Sequence, residues 1–478
     1  MSFSSLATPL FLFIVAYLAV DLLIGLYVAR RVKTSTDFIL AGRSLSLPVV
    51  IATAFATWFG SETIIATAAE MLNHGFLGVI TDPFGTALCL ILIGVFFAKK
   101  LYSLHHLTIG DYYRERYGRF VEIICSLIIA LSYFGWVAAQ FIALGIIFQT
   151  VTWGAIPQMY GMFIGVLVVL IYTYRGGMIS VAITDFIEML VIFVGLIAIF
   201  WYLQDKAGGF AHVLSMTPVD HFRLIPADFT AKDYLAYIAA WITIGLGSIP
   251  QQDVYQRIMS AKNANTARWG SIIAWLLYLS FAMIPLGLAL IARVLEPSFI
   301  GMDDAEGVIP SLVLNHAPLF LQIIFFGALL SAIMSTASGA LLAPATILSR
   351  NFLHPLFRGN LSDKSFLRLT RICVIFVAMV AMYLALGDAT IFELVQNSYT
   401  FVLVGAFVPL AFGLYTHWAN TAGAVLSSSF GIIAWIYASM HETDATIVPA
   451  LIVGLIMSII GMIFGWVLGK ILRSKKHS

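Results

Sequence analysis

Charge is what this chain has least of. Asp, Glu, Lys and Arg together make up 10% of its 478 residues, against about 25% in a soluble domain. That shortage excludes an ordinary soluble fold, which needs a charged surface. The formal net charge of +2 is too small for a nucleic-acid-binding surface. Cysteine is nearly absent too. Cys89, Cys125 and Cys373 are the only three, far apart and each in an apolar segment. They read as small buried hydrophobes, which excludes a disulfide framework or a thiolate metal centre. H-E-x-x-H and G-x-S-x-G are both missing, which argues against an intramembrane protease or lipid-modifying transferase. His105 and His106 are adjacent but have no evident partner in the sequence. Polar connections are short, the longest being about 204–232, 293–308 and 350–366, so no soluble domain is left over.

What is abundant is apolar length. Hydrophobic residues make up 61% and the mean hydropathy is +0.96. Spanning hydrocarbon takes about 20 apolar residues. The pattern predicts about thirteen transmembrane helices: 8–29, 45–72, 76–98, 120–149, 158–174, 179–203, 234–256, 269–292, 309–348, 367–386, 390–415, 419–439 and 446–469. Basic residues cluster at every second connection. Placing those connections in the cytoplasm puts 22 of the 26 Lys and Arg inside, leaving Lys206, Arg223, Lys232 and Arg293 outside. That sets the N-terminus outside and the C-terminus inside. The start, "MSFSSLATPLFLF", lacks the basic region of a signal peptide, so the first span is expected to be retained. The expectation is an all-α, multi-pass cell-membrane protein whose partner is the lipid bilayer. The oligomeric state is not set by the sequence.

Ionisable and polar groups at membrane depth mark ion or solute paths. Four stretches carry them: "AFATWFGSETIIATAAE" (54–70), "YRGGMISVAITDFIEML" (174–190), "WITIGLGSIPQQDVYQRIMSAK" (241–262) and "GALLSAIMSTASGALLAPATILSRN" (327–351). Each has a plain alternative. Small residues let helices pack closely, Asp185 sits near a cytoplasmic end where water could solvate it, and Trp58 could be packing alone. Taken together they say more. The second span is interrupted at Gly60–Glu62 and the seventh at Gly245, Gly247 and Pro250, five spans apart. Broken helices in corresponding positions are the sequence mark of a transporter built from inverted repeats. A break frees backbone carbonyls, which are tolerated where they line a buried cavity. Ser331, Ser335 and Ser338 recur at i, i+4 and i+7, with Thr336 beside them, and supply neutral oxygens of the kind hard cations take.

Three of these motifs, "RGGMISVAITD", "QRIMSAKNANTA" and "LLSAIMSTASGALLAPATILSRN", resemble the sodium/solute symporter family, and the likeness runs over nearly the whole chain. The resemblance implies a LeuT-like five-plus-five inverted repeat. Residues 1–44 would form an extra N-terminal helix and loop, 45–205 the first repeat, 206–416 the second, and 417–478 two further helices with a basic tail. It implies Na+ as the coupling ion, held by the carbonyls of Ala56, Phe59 and Ala332 and the hydroxyls of Ser335 and Thr336. Asp185 and Ser338 match a second cation site of some relatives, but Gly339 stands where another hydroxyl is expected.

Within the family, "ATWFGSETIIATAAE", "ILIGVFFAKKLY" and "LGSIPQQDVYQRIMS" look like the high-affinity choline transporter branch. Trp58 stands where proline symporters carry an acidic residue. Trp58 and Trp136 match aromatic positions of a choline cage, whereas Gln251 and Thr86 replace a tryptophan and a tyrosine. Each lost aromatic face forfeits about 0.5–2 kcal/mol of cation–π attraction, and the replacements add hydrogen-bonding capacity. The expected solute site is Trp58, Thr63, Thr86, Trp136 and Gln251, with Gly60, Glu62, Gly247 and Pro250 shaping the breaks. Glu62 is expected to hold its break by accepting hydrogen bonds from freed backbone amides. The expected activity is sodium-coupled import of a small polar organic solute, an amino acid or related amine or carboxylate. The alternatives are a quaternary-ammonium symporter and a solute sensor of the same fold that does not transport.

Overall fold

In the bilayer every backbone amide must find its partner within the protein, which leaves helices as the spanning form for a chain this apolar. The computed structural model bears this out. It describes residues 7–227, 230–302, 305–357, 361–443 and 446–474. The first six residues and the basic residues Arg358, Lys475 and Lys476, assigned above to the N-terminus and the cytoplasmic face, lie outside the described residues. The described residues hold no β-strand, only one isolated parallel bridge between Leu45 and Ala261.

The principal helices are α1 (Ala7–Ala29), α2 (Leu47–Trp58), α3 (Glu62–Gly78), α4 (Ile80–Ser103), α5 (Arg119–Val151), α6 (Gln158–Ile171) and α7 (Thr173–Lys206). They continue with α8 (Ala231–Gly247) and α9 (Gln252–Ser260). The last are α10 (Ala264–Leu295), α11 (Leu319–Phe357), α12 (Asp363–Ala385), α13 (Ile391–Tyr415), α14 (Thr421–Met440) and α15 (Ala450–Ile471). Among the described residues, ten helices are long and apolar enough to cross a membrane, and α2 with α3 makes an eleventh crossing bent by 57°. The two other expected spans are helical but fall short of that measure. α6 is too short, and α8–α9 is interrupted.

Residues 158–206 form one helical stretch except at Gly177, whose φ of +53° leaves the helix. A side chain there would sit 2.4 Å from the Phe38 carbonyl oxygen, so only glycine allows both the turn and the contact. That separates 158–174 from 179–203, as the sequence pattern predicts. α7 packs against α1, α2, α10 and α11, and α11 also packs against α5 and α12. α14 and α15 pack chiefly on each other. A Cβ at Gly465 would stand 2.4 Å from the Gly423 amide nitrogen, the close approach that small residues permit. The chain ends of the two broken spans are tied together on one side. Leu45 N–H donates to the Ser260 carbonyl and Lys262 N–H to the Leu45 carbonyl, each at 3.0 Å.

Candidate functional site

The two breaks face each other. α2 stops at Phe59, whose φ/ψ of −82°/65° is not helical, and the chain resumes through a π-helical turn over Glu62–Ala66, a device common at functional sites. α8 ends at Gly247, and α9 starts after Pro250 and Gln251. The Trp58 indole N–H donates to Ser248 Oγ at 3.4 Å, joining one break to the other. Gly247 presses on α13, for a Cβ there would lie 2.5 Å from the Tyr399 carbonyl oxygen.

α11 brings its hydroxyls to the first break. Thr336 Oγ1 donates to the Ala56 carbonyl at 3.0 Å, and Gly60 lies so close that a Cβ there would be 2.6 Å from that same Oγ1. Ser335 Oγ donates to Asp185 at 2.5 Å, and the other Asp185 oxygen accepts from Thr53 of α2. Asp185 is therefore wholly buried and belongs to this cluster, not to a solvated helix end. Ala332 lies one turn before Thr336 and is also buried. Ser338 turns back on its own helix, donating to the Ser335 carbonyl at 2.9 Å.

Glu62 acts on the break directly, accepting from its own backbone amide, and also through an intermediary. Its carboxylate accepts from Trp136 Nε1 at 3.1 Å and from Gln140 Nε2 at 2.8 Å. The freed Ser61 amide donates to Gln140 Oε1 at 3.2 Å. Gln140, not Glu62, holds that amide, and Glu62 fixes Gln140 and Trp136 in place. The Trp136 ring lies 5.7 Å from both Tyr133 and Tyr399. Gln251 Nε2 donates to Ser132 Oγ at 3.4 Å, while its Oε1 and the Tyr399 hydroxyl are buried without a hydrogen-bond partner. Trp58, Thr63, Thr86, Trp136 and Gln251 are each at most 3% exposed.

Several groups of this centre were not singled out from the sequence. Asp82 accepts from Thr86 at 2.6 Å, Tyr278 at 2.5 Å and Thr63 at 3.0 Å, so Thr63 and Thr86 are both engaged with it. Asp253 pairs with Tyr133. Arg257, counted above with the cytoplasmic basic residues, is only 4% exposed. Its guanidinium lies against Gly339, where a Cβ would meet Nη2 at 2.4 Å, and its charge acts on both Asp185 and Asp253. An ionisable residue inside an apolar run was the available signal for Asp82 and Asp253. His106, unpartnered in the sequence reading, meets Glu115 at 2.5 Å.

Above this centre, on the side assigned to the exterior, lies a cavity of about 630 Å³ lined by Ala66, Glu70, His74, His221, Arg293 and Gln396 among others. Arg293 Nη1 donates to His221 Nε2 at 2.9 Å and also to the Leu72 carbonyl. Burial lowers the His221 pKa from its ordinary value, Arg293 adds to the effect, and contact with the Leu72 carbonyl opposes it. One turn below Ala66 and Gln396 come Glu62 and Tyr399, so the Tyr399–Trp136 pair separates cavity from centre.

Two interrupted helices facing each other, with the hydroxyls of a third long helix closing on the first break, define a secondary transporter of LeuT-like fold. Residues 38–431 match the sodium:solute symporter family, and the chain belongs to it. It is a sodium-coupled symporter of a small solute, a multi-pass protein of the cell membrane and not an enzyme. The chain is 28% identical over 439 residues to the human high affinity choline transporter 1, covering 88% of this chain and 74% of that one. It is 26% identical to the osmoregulated proline transporter OpuE of Bacillus subtilis, over 92% and 91% of the two chains. Its fold matches that of a Na+-coupled sialic acid symporter, solved substrate-bound and outward-open, with a TM-score of 0.81, 20% identity and 98% coverage of both chains.

Proposed function

We propose that the solute is a small organic molecule with an apolar portion and hydrogen-bond donors, such as an amino acid or a related amine or carboxylate. The observation that carries this reading is the pair of unpartnered polar atoms, Gln251 Oε1 and the Tyr399 hydroxyl, the latter on a ring 5.7 Å from Trp136. A buried acceptor without a donor costs about 1–3 kcal/mol, and a solute N–H or O–H removes that penalty. The nitrogen of a quaternary ammonium has no such donor. Trp58 and Trp136 supply the apolar wall, and Thr63 and Thr86 act on the solute through Asp82.

Sodium sits at the first break, held by the carbonyls of Ala56, Phe59 and Ala332 and the hydroxyls of Ser335 and Thr336. The Thr336–Ala56 contact supports this, since it already joins two of these oxygens across the helix pair. One sodium moves per cycle. The Arg257 guanidinium takes up the space beside Gly339 and supplies the positive charge that a second cation would bring to Asp185 and Ser338. The membrane potential contributes about 2.3 kcal/mol per charge per 100 mV, and a tenfold sodium gradient about 1.4 kcal/mol more. Together they sustain a solute ratio of a few hundredfold. Thirteen crossings, with repeats over 45–205 and 206–416, complete the reading.

The test is current measured in proteoliposomes. Amino acids, choline, betaine, sugars and small carboxylates are added in sodium and then in potassium. An inward current with a zwitterionic amino acid, or sodium-dependent uptake of a carboxylate, which one sodium carries without net charge, supports the assignment when it is seen only in sodium and lost in Ser335→Ala. Saturable choline current that survives Gln251→Ala overturns it.

A further inference from the structure

Asp21 and Glu188 meet inside the membrane, away from the groups assigned to sodium and solute. Asp21 belongs to α1, the helix outside the five-plus-five repeat, and Glu188 to α7. They are 5% and 1% exposed, and their carboxyl groups approach to hydrogen-bonding contact. Both oxygens of Glu188 and Oδ2 of Asp21 have no other hydrogen-bond partner. Among the described residues neither carboxylate forms an ion pair. Two like charges in contact in a medium this dry repel strongly, which favours holding one proton between them until the pH is raised.

We propose that Asp21 and Glu188 share a single proton, forming a proton-binding site distinct from the sodium site. A metal ion fits this pair poorly. Hard cations take about six oxygens, and the neighbouring hydroxyls of Tyr17 and Ser331 are bonded to each other. The groups facing the pair are Tyr17 from α1, Asp185 from α7 and the non-titrating Ser331 from α11. Arg257 of α9 acts on Asp185. Glu188 lies one turn after Asp185, and Ser331 one turn before Ser335. Release of the proton to water places a second negative charge one turn from the cation cluster and strengthens its hold on sodium. By linkage, sodium binding favours release of the proton to the same degree. The assignment does not depend on the identity of the solute.

The experiment is infrared spectroscopy of the full-length protein in lipid nanodiscs, reading the protonated-carboxyl stretch in potassium at neutral pH. The band is expected in the wild type, shifted in frequency in Asp21→Asn and in Glu188→Gln, where one buried carboxyl is left, and diminished in the double variant. These amides keep the volume and supply an N–H in place of the shared O–H, so the fold is retained. A band neither shifted in the single variants nor diminished in the double variant overturns the proposal. So does a band that sodium erases even in Ser335→Ala, since the pair would then bind sodium itself. A sodium titration of thermal stability supplies the second reading. Half-saturation in the wild type falls severalfold from neutral to alkaline pH, whereas Asp21→Asn/Glu188→Gln shows no such fall. The same pH dependence in both proteins overturns the linkage.

Discussion

A single methyl added at Gly60 probes the cation site without removing any proposed ligand. In Gly60→Ala the new Cβ would stand 2.6 Å from Thr336 Oγ1 and 2.9 Å from both Thr336 Cβ and Glu62 Oε2. Overpacking of this kind costs about 1–3 kcal/mol. Rotating the Thr336 side chain clears Oγ1 but not its Cβ, so α11 and the break must also part slightly, and Thr336 gives up its 3.0 Å bond to the Ala56 carbonyl. The expense therefore falls on sodium binding. At 1.4 kcal/mol per tenfold, half-saturation by sodium should rise about 5- to 150-fold. The assay follows Tm against sodium concentration in the purified protein, which needs no knowledge of the solute. Gly60→Ala/Thr336→Ala removes the closest contact and the hydroxyl together, leaving only the 2.9 Å contact with the remaining Cβ, so its sodium titration should lie near that of Thr336→Ala alone. Wild-type titration of Gly60→Ala, or losses that simply multiply in the double variant, would refute the placement of Thr336 at the ion.

Three further outcomes follow from the same geometry. Gly247→Ala meets the Tyr399 carbonyl oxygen at 2.5 Å, backbone that cannot swing aside, so it should reduce folded yield in detergent gel filtration; normal yield would contradict the contact. Glu62→Gln disturbs the acceptors of Trp136 and Gln140 and should lower Tm and transport together while sodium half-saturation stays within about fivefold, the effect of a neutral support change being about 1 kcal/mol or less; a selective sodium effect would make Glu62 a ligand. The folded state favours neutral His221, since burial first and Arg293 next lower its pKa below the ordinary 6.5. Its contribution is full above pH 6.5 and is lost as pH falls through the lowered folded value. Tm of the wild type should therefore drop more steeply below pH 6.5 than that of His221→Gln, and parallel curves would exclude the linkage.

The fold was readable because its rules are local. Apolar length predicts the spans, and Gly60 and Gly247 mark where two of them are interrupted, whereas the turn at Gly177 was not singled out. The hydroxyl cluster proposed to hold sodium was legible in part, because hydroxyls spaced along one face of 331–338 announce themselves. Asp82 and Asp253 escaped notice because their partners, Tyr278 and Tyr133, are 196 and 120 residues away in sequence. Arg257 was misplaced for a different reason. Counting basic residues assigns a side of the membrane but not a depth, and α9 carries Arg257 back into the protein. Nor does sequence reveal that Gln140 stands between Glu62 and the Ser61 amide, since that depends on how α5 is rotated.

The burial of the five residues proposed for the solute site, all at most 3% exposed, has a consequence for the protein's clock. No side-chain swing alone opens such a chamber. Entry requires whole helices to part, with Tyr399 leaving Trp136 on one side and the Leu45–Ala261 tie accommodating the movement on the other. Collective motions of this size take microseconds to milliseconds, whereas a small molecule crosses an open pore of this length far faster. Turnover is then expected to follow the stiffness of the bundle itself, so that a lipid that loosens or tightens the helices changes its speed without touching the solute.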